Sequence, residues 1–154
     1  MITEIDAIDR TLLSALQGDL GIAIAELAHR TGLSVASVQR RLKRLREARV
    51  IEREVAVLNP AALGQTMTFI VMVELERERP DQLQAFREAA LKEPHVQQCY
   101  YVTGEADFVL ICLAPDMAGF EQLAQRLFAS NANVRRFRTS VAMARAKVGL
   151  TVPL

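Results

Sequence analysis

Ala28, Gly32 and Val38 stand four and six residues apart, a spacing that fits two short helices crossing closely through a tight turn. The first of these helices is expected over roughly Ile24 to Thr31, with Leu27 inward and Ala28 as the small residue a close crossing needs. Gly32 supplies the turn, because a left-handed backbone costs glycine little and a β-branched residue a great deal. Ser34 caps the next helix through its hydroxyl. From there Val38, Leu42 and Leu45 recur as i, i+4, i+7, the stripe of a helix with one buried face. Ala36, Arg40, Lys43, Arg44 and Glu47 point the other way, with Ser37 and Gln39 beside them and Arg41 and Arg46 as flanks. A helix that presents Ser34, Ala36, Ser37, Gln39 and Arg40 in its first turns, followed by Lys43 and Arg44, is arranged to meet the base edges and phosphates of double-stranded DNA.

A run of arginines on a helix is commonly just a solvated face. Two features argue for more here. The turn, the apolar stripe and the cations coincide in one segment, and the positive charge is local rather than chain-wide. The whole chain carries only +1 with a pI near 7.8, yet residues 39–53 hold seven Arg or Lys against two Glu. Such a stripe gives an otherwise neutral protein one place to meet a polyanion.

A further helix precedes this pair, with Thr3 as its expected cap, Asp6 at capping-box spacing, and Ile5, Ile8, Leu12 and Leu16 as the buried stripe. Three helices make a head of about 50 residues, marginal by itself. Val50 to Leu58 then alternates apolar with polar residues, as a strand would, until Asn59-Pro60 stops regular structure. The expected organisation is a helix-turn-helix head over 1–58, a linker over 59–65 and a second domain over 66–154.

In that second domain strands are expected at Met67 to Leu75, Val96 to Val102, Phe108 to Leu113 and Val134 to Ala144, and helices at Pro80 to Lys92 and Asp116 to Phe128. The order is βαββαβ. It implies a ferredoxin-like antiparallel sheet with both helices on one face, so the chain reads as α+β: a winged helix-turn-helix head plus a ferredoxin-like domain. Leu83, Phe86 and Ala90, and Phe120, Ala124 and Leu127, are the helix stripes; Pro80 and Asp81 suit the first turn of one helix and Asp116 the start of the other. The first strand turns Phe69, Val71 and Val73 one way and Ile70 and Met72 the other, so both sheet faces are apolar while helices cover one. A second copy is the simplest cover. Face-to-face pairing would give a two-fold homodimer that sets two heads against a pseudo-palindromic site.

With 51% apolar residues the chain can build its cores, and no apolar run approaches the roughly 20 residues of a membrane span. The opening Met-Ile-Thr-Glu-Ile-Asp lacks the positive start and apolar core of a signal peptide, so no membrane partner and a cytoplasmic location are expected. Cys99 and Cys112 show no metal-ligand spacing and read as buried reduced thiols. A two-residue turn at Glu105 and Ala106 would set them opposite each other. The only histidines, His29 and His95, have no neighbouring acid, base or nucleophile in the sequence pattern. No catalytic set, metal or cofactor is expected.

The chain resembles the leucine-responsive and asparagine-responsive regulators, the feast/famine regulatory proteins. The resemblance spans nearly its whole length and rests on Ile5-Asp6-Ala7-Ile8-Asp9, Leu33-Ser34, Val38-Gln39-Arg40-Arg41-Leu42, Leu58-Asn59-Pro60 and Val102-Thr103-Gly104-Glu105-Ala106-Asp107-Phe108. It implies a transcription regulator whose C-terminal domain senses a small molecule, commonly an amino acid, and assembles dimers into larger rings, often octamers. It also implies that Tyr101, Gly104, Glu105, Asp107, Met117, Ser140, Val141 and Ala142 line an effector pocket between neighbouring dimers. Physical reasoning adds that a turn bracketed by Gly104 and Asp107 exposes backbone groups and one carboxylate, a set fitted to an amino acid's charged ends, with Asp107 as the ammonium partner or else as a plain turn-former. The chain departs from the family at Ser140, where tyrosine is frequent, at Ala144-Arg145, where an acidic pair is common, and at Arg49 and Arg53, which replace glycines. Two other functions fit the layout. Siroheme decarboxylases share it by resemblance but carry a His-Asn-Tyr type segment where this chain has Gln98-Cys99-Tyr100-Tyr101-Val102; a sensor module without DNA binding would not need Arg40, Lys43 and Arg44.

Overall fold

Asp6 opens the first helix. In the computed structural model, which describes residues 4–154, Asp6 Oδ1 accepts the Asp9 amide at 2.8 Å while the Asp9 carboxylate accepts the Asp6 amide at 3.3 Å. The capping box therefore closes one turn later than expected, and Thr3, the expected cap, lies outside the described residues. Helix α1 (Ala7–Gly18) is followed by α2 (Ile24–Thr31) and α3 (Val35–Glu47). Between α2 and α3, Gly32 adopts φ +67°, and the Leu33 amide closes back on Ala28 O at 3.1 Å, the wrap that ends a helix at a left-handed residue. Leu12, Leu13, Leu27, Ala28, Val38, Leu42 and Leu45 form the buried core of this unit, edged by Ile5, Ile8, Leu16, Ile22, Leu33, Val50 and Ile51. Val50 to Leu58, despite its alternation, forms no strand. A period of two specifies a face and not a partner, and no neighbouring strand of this chain offers a ladder there.

Two compact units result, one running to Val57 and taking in Val148–Leu154, the other Leu58–Lys147. The C-terminal segment joins the first through Gln17, whose amide accepts the Val152 N–H at 2.7 Å and donates to Val152 O at 3.0 Å.

The second unit is the expected βαββαβ. Its elements are β1 (Met67–Leu75), α4 (Pro80–Lys92), β2 (Val96–Tyr101), β3 (Phe108–Ala114), α5 (Met117–Ala124) with a closing π turn (Gln125–Ala129), and β4 (Val134–Val141). The strands are antiparallel in the order β2-β3-β1-β4. Pro80 sits in the first turn of α4, and Asp116 caps α5 by accepting the Gly119 amide at 2.7 Å. Strand β4, an edge strand with β1 alone to pair with, stops at Val141, three residues short of expectation: its last ladder pair is Phe69 with Val141, beyond which the Ala142 amide still donates to Thr68 O at 2.9 Å.

Phe69, Val71 and Val73 of β1 and Phe108, Leu110 and Cys112 of β3 face the helices, meeting Phe86, Ala90, Phe120, Leu123 and Phe128 in one core. Phe69 stacks on Phe120 with centroids 3.9 Å apart. The opposite face carries Ile70 and Met72 of β1 and Val109, Ile111 and Leu113 of β3, none of them fully buried.

The β2–β3 hairpin corrects a register. Cys99 pairs with Leu110 and Tyr101 with Phe108, so Cys99 and Cys112 are not opposite. The turn is longer than two residues: Val102 N–H donates to Asp107 O at 2.9 Å across Thr103 to Ala106, and an irregularity between Val96 and Gln98 shifts the ladder again. Burial raises the pKa of both thiols, that of Cys112 up to about 12, so both stay protonated at neutral pH.

Candidate nucleic-acid interface and effector site

Ser34 sits at the N-cap of α3 in extended conformation and accepts the Ser37 amide at 3.2 Å; its hydroxyl also pairs with that of Ser37 at 2.9 Å. Arg40 Nη2 donates to Ser37 Oγ at 3.0 Å. Ser34, Ser37 and Arg40 are thus linked along one flank of the helix, while Ala36, Gln39, Lys43 and Arg44 stand exposed beside them. Val38, Leu42 and Leu45 hold the other side in the core. All seven expected DNA-facing residues lie on one helix or at its N-cap, and all but the half-buried Ser37 are exposed.

Their charges differ in availability. Arg41 donates to Asp6 at 2.7 Å and to Asp9 at 2.9 Å, and Arg44 also donates to Asp9. Arg46 pairs with Glu54 at 2.6 Å, and Lys43 lies 3.8 Å from Glu47. Arg40 has no carboxylate within ion-pair distance among the described residues. The Asp9 amide, and after it the Arg41 guanidinium, hold the Asp6 carboxyl below the usual carboxylate range; Asp6 and then Asp9 raise Arg41 in turn. Asp9 was absent from the sequence-expected site. Its signal was the Asp6–Asp9 spacing, an N-cap and its box partner read one turn out of place.

Just past α3, Arg49 adopts φ +55°, the single non-glycine left-handed residue among those described. This is one of the two positions where arginine replaces a glycine of the resembled family.

The candidate effector residues fall into two groups. At one end of the sheet, Asp107 Oδ2 accepts the Leu75 amide at 2.6 Å, and the Asp107 amide donates to Val73 O at 2.9 Å, beside the register shift between Glu74 and Leu75. Asp107 does accept a backbone amide, but one from β1 rather than from its own turn. Gly104 bends this loop at φ +117°. Glu105 reaches Arg138 at 3.3 Å, and the Tyr101 ring lies against Phe108 with the Arg87 guanidinium 5.1 Å from its centroid. At the other end are Met117, the first residue of α5, Ser140 and Val141, the last of β4, and Ala142, whose amide donates to Thr68 O at 2.9 Å. Val73 pairs with Phe108 and Phe137, whereas Phe69 pairs with Cys112 and Val141. Those four residues of strand separate the groups by roughly 13 Å at about 3.3 Å each. One chain does not bring the set together.

His29 is exposed, and His95 donates through Nδ1 to Leu113 O at 3.0 Å. No helix among the described residues is long and apolar enough to cross a membrane.

Comparison with known proteins gives two family matches, a winged helix-turn-helix DNA-binding model over residues 5–52 and an Lrp/AsnC ligand binding domain over residues 68–151. An uncharacterized HTH-type transcriptional regulator of Sinorhizobium fredii, y4tD, is 44% identical over 98% of this chain and 89% of its own length. The leucine-responsive regulatory protein of Rhizobium meliloti is 36% identical over 94% of this chain and 92% of its own. Among solved structures, an AsnC family transcriptional regulator from Agrobacterium tumefaciens superposes with a TM-score of 0.90 at 30% identity, covering 96% of each chain. A feast or famine regulatory protein from M. tuberculosis complexed with L-methionine superposes at 0.85 with 32% identity, covering 97% of this chain and 99% of that one.

Proposed function

The chain belongs to the Lrp/AsnC family of helix-turn-helix transcriptional regulators, and from that premise we propose that it works as a homodimer that reads DNA half-sites with α3 and tunes their occupancy through an amino acid bound between copies. The head over 1–58 meets DNA; the linker over 59–65 joins it to the sensing and assembly domain over 66–154. Ser34, Ala36, Ser37, Gln39, Arg40, Lys43 and Arg44 form the DNA face. Arg40 reads a base. The observation that carries this reading is the capped, apolar-backed helix α3 with Arg40, which has no carboxylate within ion-pair distance among the described residues.

The apolar sheet face of Ile70, Met72, Val109, Ile111 and Leu113 supports pairing of two copies, because α4 and α5 both pack on the opposite face. The split of the effector residues between two sheet ends supports a pocket completed by a neighbouring copy, and hence an assembly larger than the dimer, such as an octamer. The L-methionine complex of the M. tuberculosis relative supports an amino acid as the ligand class. Asp107 keeps one carboxylate oxygen for Leu75 and offers the other to an ammonium. The protein acts in the cytoplasm.

The test is binding of the purified protein to the region upstream of its own gene against a random duplex, across a salt series. Tighter binding to the upstream duplex at physiological salt, shifted by an amino acid, is the expected result. Equal affinity for both duplexes with a steep salt dependence would mean DNA coating instead of reading.

A further inference from the structure

Asp9 is the one fully buried charged side chain among the described residues. A carboxylate withdrawn from water persists only where cations and amides replace the solvent. Here Arg41 Nη1 donates to its Oδ1 at 2.9 Å, Arg44 Nη2 donates to its Oδ2, and the Asp6 amide reaches Oδ2 at 3.3 Å. The N-terminus of α1 and two arginines one turn apart on α3 therefore share a single ion cluster, its partners 32 and 35 positions apart in sequence.

The two arginines are not equivalent. The Arg41 side chain is 26% exposed and turned to Asp6 and Asp9, whereas Arg44 is 48% exposed and stands on the same helix face as Arg40 and Lys43. Asp9 thus holds one nitrogen of Arg44 while the rest of the fork faces solvent on the DNA side. An unbraced arginine samples many rotamers and reaches any phosphate nearby; a braced one is limited to acceptors lying along one direction.

We propose that Asp9 is a positioning residue of the DNA-reading face, acting through Arg44: it orients the guanidinium toward one acceptor of the sequence-specific complex and withholds it from indiscriminate phosphate contact. This rests on the DNA-reading function proposed above.

The full-length protein is used to enrich a duplex from a random pool, and affinities for the enriched and random duplexes are measured across salt for the wild type, Asp9→Asn, Arg44→Ala and the double variant. Asp9→Asn should cut the specific-to-random ratio by about tenfold, the scale of one lost directed contact, and steepen the salt slope on random DNA by about one unit as the freed guanidinium reaches phosphate. Arg44→Ala should cut the ratio without steepening the slope, and Asp9→Asn should add nothing further in the Arg44→Ala background. An unchanged ratio and slope in folded Asp9→Asn, or losses that add fully in the double variant, overturn the proposal. If circular dichroism shows Asp9→Asn unfolded, Arg44→Lys decides, since it keeps the charge but loses the braced fork: a ratio lowered as in Arg44→Ala supports the proposal, and a retained ratio overturns it. A pool that yields no enriched sequence overturns the base-reading function, and the inference with it; an enriched sequence bound by Asp9→Asn as by the wild type overturns the inference alone.

Discussion

Arg40 and Lys43 share a helix face and a charge, and their surroundings separate their roles. Arg40 is steadied by Ser37 and, among the described residues, has no carboxylate within ion-pair distance, whereas Lys43 is a flexible point charge with Glu47 3.8 Å away. Arg40→Ala should cost about 1–3 kcal/mol on the specific duplex and relax preference at one base pair, while Lys43→Ala should weaken binding to all sequences and flatten the salt slope by about one unit. Quantitative binding on specific and random duplexes checks both; equal losses from Arg40→Ala on the two duplexes would refute its reading role. Arg49 makes a stability prediction. At φ +55° an L side chain crowds its own carbonyl, so Arg49→Gly should raise thermal stability by about 1 kcal/mol while Arg49→Ala, which keeps the strained Cβ, should not. In the sensor, Asp107→Asn still offers an oxygen to the Leu75 amide but carries no charge. It should abolish an amino acid's effect on DNA binding and leave ligand-free binding intact; a full ligand response in titrations of Asp107→Asn would place the ammonium elsewhere.

At the scale of elements, the start of α1 is pH-sensitive. The Asp9 amide and then Arg41 keep the folded Asp6 pKa below its ordinary value of 3.8, so its contribution is complete above that value and drains away as pH falls through the lower folded one. Asn caps a helix nearly as well as Asp but does not titrate. Asp6→Asn should therefore flatten the acid limb of the head's melting curve below about pH 4, read by circular dichroism from pH 3 to 7, and an unaltered limb would assign the acid loss to other carboxylates. Much at this scale was legible in the sequence. Strand β1 and helices α2 and α4 carry their ends in alternation, Gly32 and Pro80, and they lie where those signals put them. What failed depended on partners. The Val50 to Leu58 alternation had no strand to pair with, and the Cys99 register was set by a four-residue loop and an irregularity that spacing does not encode. The ion cluster at Asp9 joins residues more than thirty apart, and a local pattern holds no record of such a distance. Among the effector residues, turn chemistry pointed to Gly104 and Asp107 and resemblance supplied the others; that Met117 and Ser140 to Ala142 lie at the opposite end of the sheet follows from strand register, which spacing along the chain does not encode.

At the scale of the molecule, the proposed pairing through the sheet sets how many heads meet DNA. Helices α4 and α5 cover the face of Phe69, Val71 and Val73; the face of Ile70, Met72, Val109, Ile111 and Leu113 is turned away from both helices. Ile111 pairs with Ile70 at the centre of that apolar strip, flanked by Gln98 of β2. Its side chain is not part of the helix-facing core, so Ile111→Glu should leave the monomer fold intact by circular dichroism. Between two copies the same carboxylate would be withdrawn from water into an apolar strip, a desolvation cost that opposes pairing. Ile111→Glu should therefore run at the monomer mass by light scattering at micromolar concentration, where the wild type runs as a dimer or a multiple of one. DNA binding should weaken with it. Two linked heads gain roughly 10²–10⁴ in avidity over one when both half-sites are engaged, so the variant should lose most of its affinity for a two-half-site duplex and little for a single half-site. Unchanged mass would show that the apolar face is not the dimer contact, and monomer mass with undiminished two-site affinity would show that one head suffices. The proposed sensing depends on the same assembly: an amino acid can shift DNA occupancy only by binding one arrangement of copies better than another. A folded Ile111→Glu monomer should accordingly bind half-site DNA with no response to any amino acid that moves the wild type.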